Sequence, residues 1–152
     1  MSTIKPSQPS SGAPRKRRVL LVDDCEELLS LMTCVLLEHG FEVGAAMDAK
    51  QGYKLALDGG FDLLVTDLVM PDVKGNSLIS MLRAAGFGAP IIVVSGYVGC
   101  LEASRLKELG VAGVMTKPFK LAGFLNCVYK AMGLQMEEEE LHVAGEERAG
   151  AW

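Results

Sequence analysis

Five polar positions each close a short apolar run: Asp23 and Asp24 follow VLLV, Asp67 follows FDLLVT, Ser95 follows APIIVV and Lys117 follows AGVMT. Three carboxylates gathered at one edge would make an oxygen-only site for a hard cation, suited to Mg²⁺ with retained waters. A hydroxyl and an ammonium opposite them suit the oxygens of a phosphoryl group. Together these side chains describe metal-assisted phosphoryl transfer with a carboxylate as nucleophile. The adjacent pair Asp23 and Asp24 sharpens the point, because two like charges at the end of a buried run repel unless something positive is held between them. Each residue alone has a plainer reading, as a helix cap, a turn residue or a surface charge. The set in this order is much more specific.

The elements that would position them follow from the pattern. From Val19 the chain alternates short apolar runs with longer amphipathic segments, the signature of repeated βα units. VLLVD leads into a helical segment from Cys25 to His39, with Leu28, Leu29, Met32, Val35 and Leu36 at helical spacing and Gly40 as a left-handed end. FEVGAA is a weaker strand. Asp48 caps a helix running towards Asp58. FDLLVTD is the third strand, and a loop marked by Pro71 and Gly75 precedes a helix starting at Asn76 or Ser77 and reaching Ala85. APIIVVS is apolar throughout, as in a strand covered on both faces. A helix over about 101–109, a short strand AGVMT and a last helix carrying Leu121, Phe124, Leu125, Val128 and Met132 complete the chain. The fold class is therefore α/β, a five-stranded parallel sheet with right-handed crossovers and helices on both faces. In such sheets ligands gather at the carboxyl ends of the strands, where the five polar residues lie.

The 152 residues, 49% hydrophobic, fit one domain with ends to spare. Residues 1–18 carry five basic and no acidic side chains and read as a disordered basic leader. Residues 134–152 carry six acidic and one basic, an acidic tail beyond the domain at 19–133. No stretch approaches a membrane span, and VLLV is too short for a signal-peptide core, which points to the cytoplasm. Cys25, Cys34, Cys100 and Cys127 form no CxxC pair, and with only His39 and His142 available a zinc-thiolate centre is disfavoured.

LLVDD, TDLVMPDVKG around Asp67, VVSG around Ser95 and MTKPF around Lys117, separated by 43, 28 and 22 residues from Asp24 onward, resemble a response-regulator receiver domain of two-component signalling over residues 19–133. The resemblance implies a flavodoxin-like doubly wound (βα)5 sheet of strand order 2-1-3-4-5. It implies that Asp67 accepts a phosphoryl group from a phosphohistidine on a histidine kinase or phosphotransfer protein. It further implies Mg²⁺ held by Asp23, Asp24, Asp67 and the backbone carbonyl of Val69, with Ser95 and Lys117 on the phosphoryl oxygens and a Lys117–Pro118 bond that can be cis. Such a protein catalyses its own phosphorylation and dephosphorylation, not turnover of an external substrate.

Two positions depart from the family pattern. An aromatic residue commonly stands three before the lysine and rotates inward on activation; here it is Val114, which has no ring to swing, and Tyr97 is the alternative switch candidate. Lys120 stands where a small capping residue is frequent, and a lysine cannot accept a bond from a helix amide. Val69 and Tyr97 flank the route for attacking water and would slow hydrolysis. The nineteen residues after Gly133 are too few for a DNA-binding or enzymatic output domain, and the core shows no basic patch. The expectation is a stand-alone receiver, similar to those of hybrid histidine kinases, acting on an unknown downstream protein or as a phosphorelay intermediate, without nucleic acid. Two rival readings stay open: a receiver-like module that works without phosphorylation, and a phosphatase resembling the haloacid-dehalogenase group. The second lacks the acid two residues after the nucleophile, where Val69 stands.

Overall fold

The computed structural model describes residues 15–70, 75–96 and 98–136. Five strands alternate with five helices: β1 (Arg18–Val22), α1 (Glu26–Glu38), β2 (Glu42–Ala46), α2 (Ala49–Asp58), β3 (Leu63–Thr66), α3 (Gly75–Ala84), β4 (Ile91–Ser95), α4 (Cys100–Glu108), β5 (Gly113–Thr116) and α5 (Leu121–Ala131). The strands are all parallel, in the order β2-β1-β3-β4-β5. This is the doubly wound sheet expected from the sequence.

Alternation along the strands divides the core in two. Val19, Leu21, Leu63, Val65, Ile92 and Val94 face α1 and α5, where they meet Leu29, Met32, Leu36, Phe124, Leu125 and Val128. Leu20, Val22, Leu64, Ile91 and Val93 face the opposite way, against α2, α3 and Leu106 of α4. Because the two central strands and β4 are covered on both faces, their sequences are continuously apolar instead of alternating.

Local signals account for most helix ends. The Asp48 carboxylate accepts the Gln51 amide at 2.8 Å, capping α2. Gly40, at φ 88°, turns the chain out of α1 in a conformation that a side chain would strain. Lys120 stands at the N-cap of α5 and makes no side-chain cap bond. A missing cap costs about 0.5–2 kcal/mol, whereas burying each of Phe124, Leu125 and Val128 contributes roughly 1.5–3 kcal/mol. Packing outweighs the defect, and α5 forms.

At the amino edge of the sheet the basic run is part of the fold. Arg15 forks onto the two oxygens of Asp62 at 2.9 and 3.2 Å, the Arg18 amide donates to the same carboxylate at 2.8 Å, and the Arg18 guanidinium lies 4.6 Å above the Phe61 ring. Ordered structure thus begins before Val19 and continues past Gly133 to the buried Met136. Residues 1–14 of the leader and 137–152 of the tail lie outside the described residues. No helix among the described residues is long and apolar enough to cross a membrane.

Candidate functional site

The carboxyl edge of the sheet is assembled by backbone pairing that runs one residue beyond the strands. The Asp23 amide donates to the Ala46 carbonyl at 3.1 Å, the Asp67 amide to Val22 at 3.0 Å and the Lys117 amide to Ser95 at 2.8 Å. These bonds fix the height at which each polar residue leaves its strand. The geometry brings Asp23, Asp24 and Asp67 together, with one oxygen of each within 4.8 Å of the others. Asp23 and Asp67 are buried, and Asp24 is exposed.

Each buried carboxylate is held at one oxygen by amides and at the other by Lys117. Asp23 Oδ1 accepts from the Cys25 amide at 2.9 Å. Asp67 Oδ1 accepts from the amides of Leu68, at 2.6 Å, and Val69, at 3.2 Å. The remaining oxygens receive Lys117 Nζ, at 2.9 Å from Asp23 and 3.0 Å from Asp67. Burial works against the Lys117 charge, but the hydrogen bonds it donates to Asp23 and Asp67 outweigh it and raise its pKa above the ordinary lysine value. The bond from Lys117 to Pro118 is cis, as the resemblance allowed.

Ser95, at the end of β4, is buried, and its Oγ has no hydrogen-bond partner. An orphaned buried hydroxyl is uncommon and costs about 1–3 kcal/mol. It lies at the same carboxyl edge of the sheet as the acids and the ammonium, with its donor unused. The donor set also fits a hard dication. All three candidate ligands are oxygens, and three carboxylates against one ammonium leave excess negative charge at the site.

Two other positions are placed differently from the acids. Val69 contributes its amide to Asp67 while its side chain is 71% exposed. Val114, on the edge strand β5, is 45% exposed and pairs in register with Val93. Tyr97 lies outside the described residues. A residue that the sequence reading passed over is Thr66, fully buried, whose hydroxyl donates to the Asp67 carbonyl at 3.0 Å and steadies the backbone under the acid. A hydroxyl interrupting an otherwise aliphatic run next to Asp67 was the available signal.

A doubly wound parallel sheet with this acid, hydroxyl and ammonium set at its carboxyl edge defines a class of phosphoryl-handling signalling domains, and comparison with known proteins gives the family. The family model for the response regulator receiver domain matches residues 19–129. The transcriptional regulatory protein CusR of Escherichia coli K12 is 37% identical over 110 residues, covering 71% of this chain and 48% of CusR. The chain thus spans about half the length of this curated relative. Among solved structures, the non-phosphorylated HemR receiver domain from Leptospira biflexa aligns with TM-score 0.74 and 31% identity over 81% of this chain and 99% of that one. TrrA from Thermotoga maritima, solved with Mg²⁺ and BeF, aligns with TM-score 0.67 and 26% identity over 76% of this chain and 98% of that one. The chain belongs to the response regulator receiver domain family of two-component systems.

Proposed function

We propose that this receiver takes a phosphoryl group from a phosphohistidine, on a histidine kinase or phosphotransfer protein, onto Asp67. The observation that carries the reading is the Lys117 ammonium bridging Asp23 and Asp67 beside a buried Ser95 hydroxyl that has no partner. An Asp67 oxygen attacks phosphorus, the P–N bond breaks, and the imidazole nitrogen leaves with the bonding pair and is protonated. Lys117, now on Asp67 Oδ2, transfers its hydrogen bond to a phosphoryl oxygen, and Ser95 Oγ donates to another. The amides of Leu68 and Val69 keep Asp67 oriented throughout. Asp23, Asp24, Asp67 and the Val69 carbonyl are the residues that would hold Mg²⁺, which when bound neutralises charge on the transferring group.

Signal output is then by protein contact, either to a downstream protein or by passing the phosphoryl group onward. Val114 carries no ring, so the change is transmitted by another element. Incubation with Mg²⁺ and acetyl phosphate followed by intact mass tests the reading. A phosphoryl adduct that disappears in Asp67→Asn is the expected result. No adduct from acetyl phosphate or from the cognate kinase would leave a phosphorylation-independent interaction module in its place.

A further inference from the structure

Strand β3 ends on a residue that its surroundings do not call for. Thr66 is fully buried and stands in register between Val22 of β1 and Val93 of β4, which are themselves buried. Alternation puts its side chain on the face that Leu64, Val22 and Val93 present to α2 and α3. A valine has the same shape and would bury no polar atom there, so packing alone gives no reason for a hydroxyl. The hydroxyl donates to the Asp67 carbonyl at 3.0 Å.

That carbonyl and the Leu68 amide belong to one planar peptide group, with oxygen and hydrogen pointing opposite ways. The plane is gripped at both ends. Its oxygen receives the Thr66 hydroxyl, and its N–H donates to the Oδ1 of Asp67 itself at 2.6 Å. A rotation that frees the carbonyl from Thr66 therefore also swings the Leu68 amide away from the carboxylate. The Val69 amide adds a second donor to the same oxygen at 3.2 Å, and the Asp67 amide is tied back to Val22 at 3.0 Å. Oδ1 is thus held by two backbone donors, whereas Oδ2 has a side-chain partner, the Lys117 ammonium.

We propose that Thr66 is a positioning residue for the nucleophile: through the shared peptide plane it fixes the rotamer of Asp67, commits Oδ1 to the amides and leaves Oδ2 as the oxygen that attacks phosphorus. The inference rests on phosphorylation at Asp67 and adds how the acid is aimed. Being fully buried, Thr66 meets no phosphodonor, so its contribution belongs to the rate of transfer and not to donor binding.

Two substitutions separate the hydroxyl from packing. Thr66→Val keeps the shape and removes the donor, whereas Thr66→Ser keeps the donor and gives up a buried methyl. Labelling by acetyl phosphate with Mg²⁺ is followed by intact mass over a range of donor concentrations, at a temperature where all three proteins are folded. In Thr66→Val the maximal rate falls roughly tenfold, the worth of one hydrogen bond expressed in the transition state, and the half-saturating donor concentration is unchanged. Thr66→Ser labels at close to the wild-type rate despite its lost methyl. Before any donor is added, proton–nitrogen correlation spectra of the full chain read the plane directly. The Leu68 amide proton, drawn downfield by its short bond to a carboxylate, moves upfield in Thr66→Val and keeps its place in Thr66→Ser. A wild-type rate in Thr66→Val overturns the positioning role, as do an effect confined to the half-saturating concentration, a Thr66→Ser as slow as Thr66→Val, and an unmoved Leu68 resonance in Thr66→Val. Failure of the wild type to form an adduct counts instead against phosphorylation, and the Leu68 resonance still decides whether Thr66 aims the carboxylate.

Discussion

Replacing Lys117 by methionine removes the one ammonium between two buried carboxylates while nearly keeping the side-chain length. Asp23 and Asp67 keep their amide donors on Oδ1, but both Oδ2 atoms lose their partner. Removing one member of a buried ion pair costs about 3–5 kcal/mol. The Lys117 side chain is 26% exposed, so water screens part of the interaction and the expected loss is about 2–3 kcal/mol. For a domain of this size that is a fall of roughly 10 °C in Tm. The sign of the Mg²⁺ effect then follows. Lys117 repels a dication, so its removal tightens Mg²⁺ binding, and each tenfold gain in affinity adds about 1.4 kcal/mol at saturation. Thermal and urea unfolding in EDTA and in Mg²⁺ measure both quantities. Wild-type stability of Lys117→Met in EDTA would refute the electrostatic account of the site. So would identical Mg²⁺-induced shifts in the two proteins.

Further expectations concern single groups. Mg²⁺ should raise the Tm of the wild type, and Asp24→Asn should weaken that effect more than the surface change Asp58→Asn; equal responses in a thermal-shift titration would argue against the acid cluster as the metal site. Burial pushes the Asp62 pKa up, but the Arg15 guanidinium and the Arg18 amide outweigh it and hold it below the usual carboxylate value. A depressed folded-state pKa stabilises above the unfolded-state value and is lost as pH falls through the folded one. Asp62→Asn should therefore flatten the acid limb of the unfolding profile below about pH 4, and an unchanged limb in urea titrations would count against this. A methyl at Gly52, in α2, would sit 2.8 Å from a Val22 methyl, and Val22 is buried with no room to yield. Gly52→Ala should destabilise by about 1–2 kcal/mol despite its better helix propensity. Gly88→Ala, with open space around it, should stay within about 0.5 kcal/mol of the wild type by urea unfolding.

The fold and the acid cluster were legible in the sequence for a shared reason. A parallel strand covered on both faces must be apolar, so the first polar residue after it marks the sheet edge, and Asp23, Asp67 and Ser95 are such residues. Capping gave α2 its start at Asp48. What the sequence hid was held by backbone atoms or by shape. Arg83 looks like any helix-surface arginine, because its partners are carbonyls up to 27 residues away and carbonyls have no letter. Glu102 belongs by composition on a solvated face, and only the geometry of α4 buries one of its carboxylate oxygens. Gly44, which made β2 look weak, is explained by Phe61, whose ring would lie 2.7 Å from an added Cβ. The basic run reads as a leader from its polar composition and charge, because the carboxylate that anchors Arg15 lies 47 residues away.

The hydrogen bond from the Lys117 amide to the Ser95 carbonyl, 2.8 Å long, has a consequence of its own. It ties together the backbones that carry the two candidate phosphoryl-binding side chains, so strand pairing, and not a separate loop, fixes how far apart the main chains of Ser95 and Lys117 stand. On the function proposed above, a phosphoryl group on Asp67 would meet a hydroxyl and an ammonium whose attachment points the sheet itself has already set.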